Sequence, residues 1–343
     1  MVLKSLCGLS ADELYAMIKP YDHSYSDALG VLNHIYKKRS RVIPDFRNIP
    51  KELKEFLKAT TCCGIEQPVS MVVSADKTVK YLFRSDSGKQ YEAVYIPETR
   101  RHTVCVSTQS GCRMGCPFCL SGRYGFHGNL TAGEIVSQIL GIPDSGKITH
   151  VVFMGMGEPM DNIENVLKAC EIITAQWGLS LSSRNVTVST IGIRPAVDRF
   201  LELSDCNLTL SLHSPFSGER MMIVPAERKH RALDTLQLMK DFRLRKGRRL
   251  SVAYVMISGL NDSEAHLGEL ISLLKGSVVR VNLLPYHSSG DDTMRSSAPE
   301  KMQFFKHHLV ISGISASIRK SRGSDISAAC GMLASGLPDL SRG

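Results

Sequence analysis

The chain of 343 residues has no long apolar run and no segment typical of a secretion signal. None of its apolar stretches approaches the roughly 18 consecutive residues that a membrane-spanning helix requires. Its first residues lack the basic segment followed by an apolar core that marks a signal peptide. Internal repeats and low-complexity tracts are also missing, which argues against fibrous and disordered classes. We therefore expect a cytoplasmic protein that does not enter a membrane.

Acidic residues are fewer than basic ones. Asp and Glu number 33 against 42 Lys and Arg, so the formal net charge is +9, while 43% hydrophobic and 22% charged residues are ordinary for a globular protein. The basic residues form clusters, each of which alone is more typical of a solvated surface. Together with the net charge they favour an RNA-sized polyanion over a small neutral ligand. The clusters are 37–41, 100–101, 243–249 and 319–322.

The beginning of the chain has a helical pattern. Ser10 and Glu13 form a capping-box pattern, and Pro50 stands where a first-turn proline opens a helix. The hydrophobic period then changes to that of strands, with a hairpin-type turn at 86–88. The predicted strands of this part are 69–74, 79–84 and 91–96. We expect an N-terminal helical RNA-binding domain at 1–66 and a β-hairpin linker at 67–98.

Strands and helices alternate from residue 99 to residue 320. The predicted strands are 104–107, 150–153, 186–189, 208–212, 251–256 and 279–284. The predicted helices between them are 132–140, 163–175, 232–242 and 264–274. This alternation predicts an α/β fold with a parallel sheet or barrel, whose ligands bind beyond the carboxyl ends of the strands. A last strand at 316–319 leads into a C-terminal segment at 321–343.

Three cysteines follow the first of these strands in a Cys-x3-Cys-x2-Cys spacing. Cys112, Cys116 and Cys119 offer three thiolates to a [4Fe–4S] cluster and leave one iron open for S-adenosylmethionine. A zinc site with His127 or Cys105 as fourth ligand is the alternative, although the chain has no second Cys-x2-Cys motif. The spacing, with an aromatic residue before the third cysteine, resembles the radical S-adenosylmethionine (radical SAM) superfamily. That resemblance implies a partial (β/α)6 barrel.

Polar residues also follow the later strands. On residue chemistry alone, each of them is more typical of a turn, a cap or a buried polar position. The resemblance implies instead that they contact S-adenosylmethionine. These residues are Gly157, Glu158, Ser189, Ser211, Leu212, His213 and Asn282.

Four segments, which occur in the same order along the chain as in one family, narrow the resemblance from the superfamily to that family. Residues 105–112, 154–159, 211–214 and 322–331 are similar to the RlmN/Cfr family of RNA adenine methyltransferases. The family methylates C2 or C8 of an adenine in 23S ribosomal RNA, and its C2 branch also methylates a transfer RNA. The residues at 157–159 and 322–323 are nearer to the C2 branch. A C8-specific enzyme, a radical enzyme acting on another substrate and a zinc-stabilised RNA-binding protein are the alternatives.

The resemblance also implies the catalytic groups and the partners. Cys330 would accept a methyl group from one S-adenosylmethionine, and a second molecule would supply the radical that activates it. Cys105 would release the methylated base by forming a transient disulfide with Cys330, while Glu92 takes the ring proton. An electron donor such as flavodoxin and a monomeric state are expected.

Overall fold

The computed structural model describes residues 3–243, 247–288 and 293–333. Within them the strands are β1 (Lys4–Ser5), β2 (Thr61–Cys62), β3 (Pro68–Val73), β4 (Val79–Arg84), β5 (Gln90–Pro97), β6 (His102–Cys105), β7 (Gln109–Gly111), β8 (Phe126–Asn129), β9 (His150–Phe153), β10 (Val186–Thr190), β11 (Asn207–Ser211), β12 (Leu250–Met256), β13 (Arg280–Pro285) and β14 (Ala316–Ile318). The α-helices are α1 (Ala11–Ile18), α2 (Tyr25–Leu32), α3 (Lys51–Thr60), α4 (Leu120–Tyr124), α5 (Ala132–Leu140), α6 (Ile163–Thr174), α7 (Ala196–Leu203), α8 (Ser217–Ile223), α9 (Ala232–Asp241), α10 (Glu264–Leu274) and α11 (Pro299–Ile311). Part of the basic cluster at 243–249 and the end of the C-terminal segment, residues 334–343, lie outside the described residues.

Ten strands form one sheet in the order β14-β13-β12-β11-β10-β9-β6-β5-β4-β3. The strands from β6 to β14 in this order pair in parallel, and the crossovers between them contain helices. Arg101 precedes β6 and Arg319 follows β14, at the two ends of the parallel part, yet both line one cavity. The sheet therefore curls into an open, partial barrel, and the predicted α/β fold class is confirmed.

The pleat of the strands sorts their side chains. Val186 and Val188 of β10 are fully buried in the core, whereas Thr187 and Ser189 face cavities inside the barrel. The face of β10 that points into the barrel is therefore polar. One cavity lies at the carboxyl ends of the parallel strands and another at their amino ends.

The N-terminal helices pack against the barrel. Gly8 approaches Gly133 of α5 so closely that a Cβ on Gly8 would lie 2.6 Å from the Gly133 nitrogen. The backbone N–H of Gly8 also donates to the Tyr36 hydroxyl at 3.0 Å. The predicted capping box of Ser10 and Glu13 is confirmed at the start of α1.

The predicted hairpin segment is an integral part of the main sheet. β3, β4 and β5 pair antiparallel with one another, and β5 pairs antiparallel with β6. Gly88 in the β4–β5 turn has a φ of 81°, as a hairpin turn requires. Side chains of β4 and β5 consequently lie beside the first barrel strand.

The predicted helices of the barrel are confirmed as α5, α6, α9 and α10, while α4, α7, α8 and α11 are additional. The longest, α11, has 13 residues. No helix in the described part of the chain combines the length and the apolar character needed to cross a membrane.

Candidate active site

The loop with the three closely spaced cysteines leaves the barrel after β6. β7 and β8 pair antiparallel at its base, and α4 begins directly after Cys119. The backbone N–H of Cys112 donates to the Gly125 carbonyl at 2.9 Å. Gly111 has a φ of 74°, and a Cβ there would lie 1.6 Å from the Gly125 carbonyl oxygen. Only glycine therefore fits immediately before the first cysteine.

Cys112, Cys116 and Cys119 line one cavity of about 170 Å³ at the carboxyl ends of the strands. Burial raises the pKa of Cys112 to about 12, and the charges of Glu158 and Cys119 act in the same direction. Burial also raises the pKa of Cys116, as do the charges of its two neighbouring cysteines. Thiols this close, in a place that disfavours their charge, become thiolates when a cation binds them.

The donor set fits a [4Fe–4S] cluster better than a single metal ion. Each thiolate of such a cluster binds its own iron, so the sulfurs need not surround one point. Within the described residues no three of His, Cys, Asp and Glu converge as ligands of one ion do. His127, the alternative fourth zinc ligand, contacts the Tyr124 carbonyl and lines a different cavity. A cluster would therefore be held by the three predicted cysteines.

Glu158 fixes the glycine-rich segment after β9 against the end of β10. Its carboxylate accepts hydrogen bonds from the Thr190 hydroxyl at 2.5 Å and from the backbone N–H groups of Met160 and Ile191, each at 3.0 Å. Burial raises the pKa of Glu158 to about 7, although these hydrogen bonds oppose the shift. Gly157 and Glu158 both line the cysteine cavity, and the family resemblance implies that they contact S-adenosylmethionine there.

Replacing Gly157 with alanine is expected to lower the free energy of unfolding by about 1–3 kcal/mol. Gly157 has a φ of 98°, and a Cβ would lie 2.5 Å from the Cβ of Gln109. Gly218→Ala in α8 is the matched control, because no atom lies within 4 Å of its Cβ position. Thermal unfolding followed by circular dichroism compares the two variants, and equal melting temperatures would contradict the prediction.

His213, Ser189 and Ser211 lie around the same cavity. The two serine hydroxyls are 3.3 Å apart. The backbone N–H of Val255 donates to Nδ1 of His213 at 3.1 Å, which leaves the ring proton on Nε2. Burial lowers the pKa of His213 to about 3, and the charge of Arg220 acts in the same direction. The imidazole is therefore neutral near pH 7 and has one N–H to donate.

Cys330 lines the same cavity as the three cysteines. Cys330 is an exposed residue, and its exposed side faces the cavity. Desolvation by the surrounding protein nevertheless raises the pKa of the thiol, the charge of Cys119 raises it further and the charge of Arg319 opposes the shift. The structure thus brings the C-terminal cysteine to the mouth of the barrel.

Two sets of contacts hold the segment that carries Cys330. The backbone N–H of Leu120 in α4 donates to the Gly331 carbonyl at 2.7 Å. On the other side of Cys330, the Asp325 carboxylate accepts hydrogen bonds from the Ser74 hydroxyl at 2.6 Å and the Ala75 N–H at 3.1 Å. The segment therefore spans from the β3–β4 turn to the cysteine loop.

Strand register places Cys105 on the same face of the sheet as Lys80 and Glu92. Lys80 of β4 pairs with Val94 of β5, which pairs with Cys105 of β6. Directly paired residues of antiparallel strands share a sheet face, and Glu92 shares it because it lies two residues from Val94. Burial raises the pKa of Cys105, and so does the charge of Cys330. The two cysteines are thus within electrostatic reach of each other.

Glu92 and Lys80 form a buried ion pair. The Lys80 ammonium lies 3.3 Å from the Glu92 carboxylate, and the side chains are only 2% and 4% exposed. The same ammonium lies 3.4 Å from the carbonyl oxygen of Ser327, just upstream of Cys330. Glu92 itself lines an adjacent cavity of about 470 Å³ and not the cysteine cavity. Lys80 therefore connects Glu92 with the segment that carries Cys330.

Two predicted contacts do not reach the cysteine cavity. Leu212 is fully buried in the core, and its carbonyl accepts a hydrogen bond from Arg220 at 2.8 Å. Asn282 lines the cavity at the amino ends of the strands, where the Ser317 hydroxyl donates to its amide oxygen at 3.0 Å. Asn282 lies too early in β13, since Leu284 of that strand is the first to reach the cysteine cavity.

Sequence reasoning missed Arg220, which is 1% exposed. Its guanidinium donates to the carbonyls of Ile191 at 2.9 Å and Ser211 at 2.8 Å, and it pairs with the Glu227 carboxylate. It therefore joins the ends of β10 and β11 and lowers the pKa of Cys116 against the effect of burial. No spacing signal distinguishes it from a surface arginine of α8.

His287 was also missed. It follows β13 and lines the cysteine cavity, and its Nε2 lies 2.8 Å from the Ser321 hydroxyl. Burial lowers the pKa of His287. The rule that ligands bind beyond the carboxyl ends of parallel strands would have favoured His287 over Asn282.

The open barrel and its cysteine loop define a radical SAM enzyme, and residues 106–271 match the model of the Radical SAM superfamily. The chain is 40% identical to the probable dual-specificity RNA methyltransferase RlmN of Bacteroides thetaiotaomicron, over 96% of this chain and 95% of that protein. It is 35% identical to the dual-specificity RNA methyltransferase RlmN of Geobacter sulfurreducens, over 95% and 91%. The crystal structure of a radical SAM methyltransferase from Sphaerobacter thermophilus superposes with a TM-score of 0.89 at 34% identity, covering 96% of this chain and 99% of that one. The chain belongs to the RlmN family of dual-specificity RNA methyltransferases.

Proposed function

We propose that this protein methylates C2 of an adenine in 23S ribosomal RNA and in a transfer RNA, with S-adenosylmethionine as methyl source. The names of its relatives, dual-specificity RNA methyltransferases, support RNA as substrate. The observation that carries the proposal is that Cys330 faces the cavity of the three cysteines, with Cys105 in its electrostatic reach. A radical enzyme acting on another substrate has no use for this second pair of thiols.

The cavity residues hold and orient the cofactors. Cys112, Cys116 and Cys119 would hold a [4Fe–4S] cluster, and the cluster together with S-adenosylmethionine would supply a 5′-deoxyadenosyl radical. The neutral His213 would donate one hydrogen bond to the bound nucleoside or methionine group, and Gly157 lets the glycine-rich segment pack against Gln109 beside the cavity. Ser189, Ser211 and His287 complete the polar wall.

Cys330 is the methyl carrier. Its thiolate attacks the methyl carbon, so that a new sulfur–carbon bond forms as the sulfonium loses its methyl group. Burial disfavours this thiolate, whereas a sulfonium cation placed in the cavity favours it, as the charge of Arg319 does. Methyl transfer to Cys330 is therefore coupled to cofactor binding.

Cys105 and Glu92 would complete the reaction after three events. The 5′-deoxyadenosyl radical would take a hydrogen atom from the methyl group on Cys330, the resulting carbon radical would bond to the adenine ring, and the ring radical would give one electron back to the oxidised cluster. Glu92 takes the ring proton, and the sulfur of Cys105 attacks the sulfur of Cys330. A disulfide forms, the sulfur–carbon bond to the RNA breaks, and the released carbon takes up a proton to become a methyl group. The disulfide is then reduced before the next turnover.

Nucleoside mass spectrometry tests the proposal. The full chain, reconstituted anaerobically with iron and sulfide, is incubated with a reductant, methyl-deuterated S-adenosylmethionine and either unmodified 23S ribosomal RNA fragments or transfer RNA. Labelled 2-methyladenosine is expected in both, and Cys112→Ala, which lacks a cluster ligand, is expected to form none. Labelled 8-methyladenosine would replace the C2 assignment, and no labelled adenosine would refute the proposal.

We further propose the working context of the enzyme. The electron donor is of the flavodoxin type, and the enzyme acts as a cytoplasmic monomer. Residues 1–66 form the RNA-binding part, 67–98 the hairpin part, 99–320 the barrel and 321–343 the carrier segment. The net charge of +9 supports RNA binding by basic surfaces of this chain.

Replacing Lys80 with methionine is expected to lower kcat for RNA methylation about 10- to 100-fold with little change in KM. The substitution removes the ammonium that lies 3.3 Å from the Glu92 carboxylate and 3.4 Å from the Ser327 carbonyl, so Glu92 loses its link to the segment that carries Cys330. Lys80→Arg, which keeps the charge, is expected to recover much of kcat. Steady-state kinetics of RNA methylation measures both variants.

The free energy of unfolding of the variants distinguishes a role of Lys80 in catalysis from a purely structural one. Removing one partner of a buried ion pair costs about 3–5 kcal/mol, and removing both charges costs less. The double variant Lys80→Met with Glu92→Gln is therefore expected to regain stability in a denaturant titration but to remain inactive. A stable and active double variant would contradict the role of both residues.

A further inference from the structure

A second cavity, of about 240 Å³, lies at the opposite end of the barrel from the cysteines. Buried amide and hydroxyl groups, including Asn207, Thr209 and Ser251, lie on its floor. Its rim carries five arginine side chains. Four come from the loops and strand starts at this end of the sheet, and the fifth, Arg319, follows the carboxyl end of β14. The five are Arg101, Arg184, Arg249, Arg280 and Arg319.

The fold collects at this end basic residues that lie far apart in the sequence. Three of the four basic clusters each contribute one rim arginine, namely the clusters at 100–101, 243–249 and 319–322. The fourth cluster reaches the same end, because Arg39 donates to the carbonyl of Ser145 at 3.3 Å in the loop before β9. Parts of all four basic clusters therefore lie near the amino end of the barrel.

The rim charges are not matched by carboxylates of this chain. Among the described residues no carboxylate lies within salt-bridge distance of the five rim guanidinium groups. Burial and the charges of Arg319 and Arg249 lower the pKa of Arg101, and only Glu98 opposes them. The like charges thus repel one another, and an anion between them would relieve that repulsion.

Two further features favour an oxyanion. Gly247 makes room for one guanidinium, since a Cβ there would lie 2.1 Å from Nε of Arg184. His150 in the cavity wall has its pKa lowered by burial and by Arg101 and Arg249, so it adds a neutral hydrogen-bonding group. Planar guanidinium groups beside hydroxyl and amide donors match the oxygens of a phosphate, which several arginines can bind at once.

We propose that this arginine-rimmed cavity binds a phosphate group, supplied either by an RNA strand or by a free phosphate compound. Most of the cavity lies at the opposite ends of the strands from Cys330, and Arg319 is the rim residue whose charge also reaches the Cys330 thiol. A phosphate of RNA held here anchors the substrate away from its target nucleotide. A free phosphate compound would occupy a separate ligand site on the enzyme.

The test compares the full, cluster-loaded chain with a double variant, Arg249→Gln with Arg280→Gln. Arg199→Gln, on the outer helix α7, is the matched control for loss of an exposed arginine. Inorganic phosphate and pyrophosphate binding is measured by titration calorimetry, and binding of a labelled oligouridylate by fluorescence anisotropy at several salt concentrations. The oligouridylate has no adenine and so separates backbone binding from target recognition.

The double variant is expected to bind at least one probe about tenfold or more weakly than wild type, while the control variant does not. If the oligouridylate is affected, the salt dependence of its binding is expected to fall by about two ions, which identifies the RNA backbone as the source. If only the inorganic probes are affected, a free phosphate compound is the ligand.

Unchanged binding of all three probes by a folded double variant would overturn the proposal. Methylation of Cys330, measured by peptide mass spectrometry, needs no RNA and is expected to be equal in all these proteins. Failure of the phosphate site therefore leaves the proposed methyl transfer untouched, and failure of methyl transfer leaves the binding result standing.

Discussion

Replacing Cys330 with alanine is expected to reduce RNA methylation by a factor of about 10³ or more while leaving the fold and the cluster in place. The proposed methyl carrier has no substitute, since alanine has no sulfur to accept or transfer the group. The side chain is exposed into the cavity, so its loss leaves little packing unsatisfied. Cluster absorbance, iron content and labelled 2-methyladenosine are measured on the same preparation.

Cys62→Ala is the matched control, because Cys62 is a partly exposed cysteine of β2 that does not line the cysteine cavity. It is expected to keep wild-type methylation. Peptide mass spectrometry is expected to find methylcysteine at position 330 in wild type and in this control. A Cys330→Ala enzyme with substantial activity would refute the carrier role.

Regular elements are predictable where the hydrophobic period is strong and a cap marks the start. α5 begins at the predicted residue because Thr131 and Glu134 form a capping box. α11 escapes prediction because Phe304, Val310 and Ile311 are exposed apolar residues that blur its amphipathic pattern. The sequence pattern alone does not tell which apolar residues of such a helix face the core.

In the candidate site, too, local features can be predicted from the sequence and features that depend on distant contacts cannot. The cysteine loop is local, so the spacing of its thiols is visible in the sequence. The place of Cys330 depends on distant contacts, such as that of Asp325 with Ser74, which no local pattern reveals. For Cys330 only the family resemblance pointed to the site.

Depth along a strand is the other quantity that the sequence does not give. Asn282 and His287 are both polar residues near the end of one predicted strand. In the structure Asn282 lines the cavity at the amino ends of the strands, whereas His287 lines the cavity at their carboxyl ends. The arginines of the rim likewise become one site only when the sheet curls. The hydrophobic pattern of the sequence identifies the strand, but the tertiary structure decides which cavity each of its side chains faces.

Replacing Cys105 with alanine is expected to stop turnover and to trap RNA covalently on Cys330. The attack on the Cys330 sulfur needs a second sulfur on the same side of the barrel, and Cys105 is the buried thiol whose pKa the charge of Cys330 raises. Alanine keeps the strand and its pairing with Val94 but removes the nucleophile. A protein–RNA band that survives denaturing electrophoresis and disappears after ribonuclease treatment measures the adduct.

The double variant Cys105→Ala with Cys330→Ala is the control for this trap, because it lacks the sulfur to which the RNA is joined. It is expected to form no adduct, whereas Cys105→Ala alone accumulates up to one RNA per protein. β5 and β6 pair through their backbones, so loss of the Cys105 side chain is not expected to disturb that pairing. Both variants are therefore expected to retain the fold, and circular dichroism checks this. If Cys105→Ala carries methylcysteine at position 330 and consumes S-adenosylmethionine with RNA present, yet no adduct forms, then a different group releases the product and the role given to Cys105 is wrong.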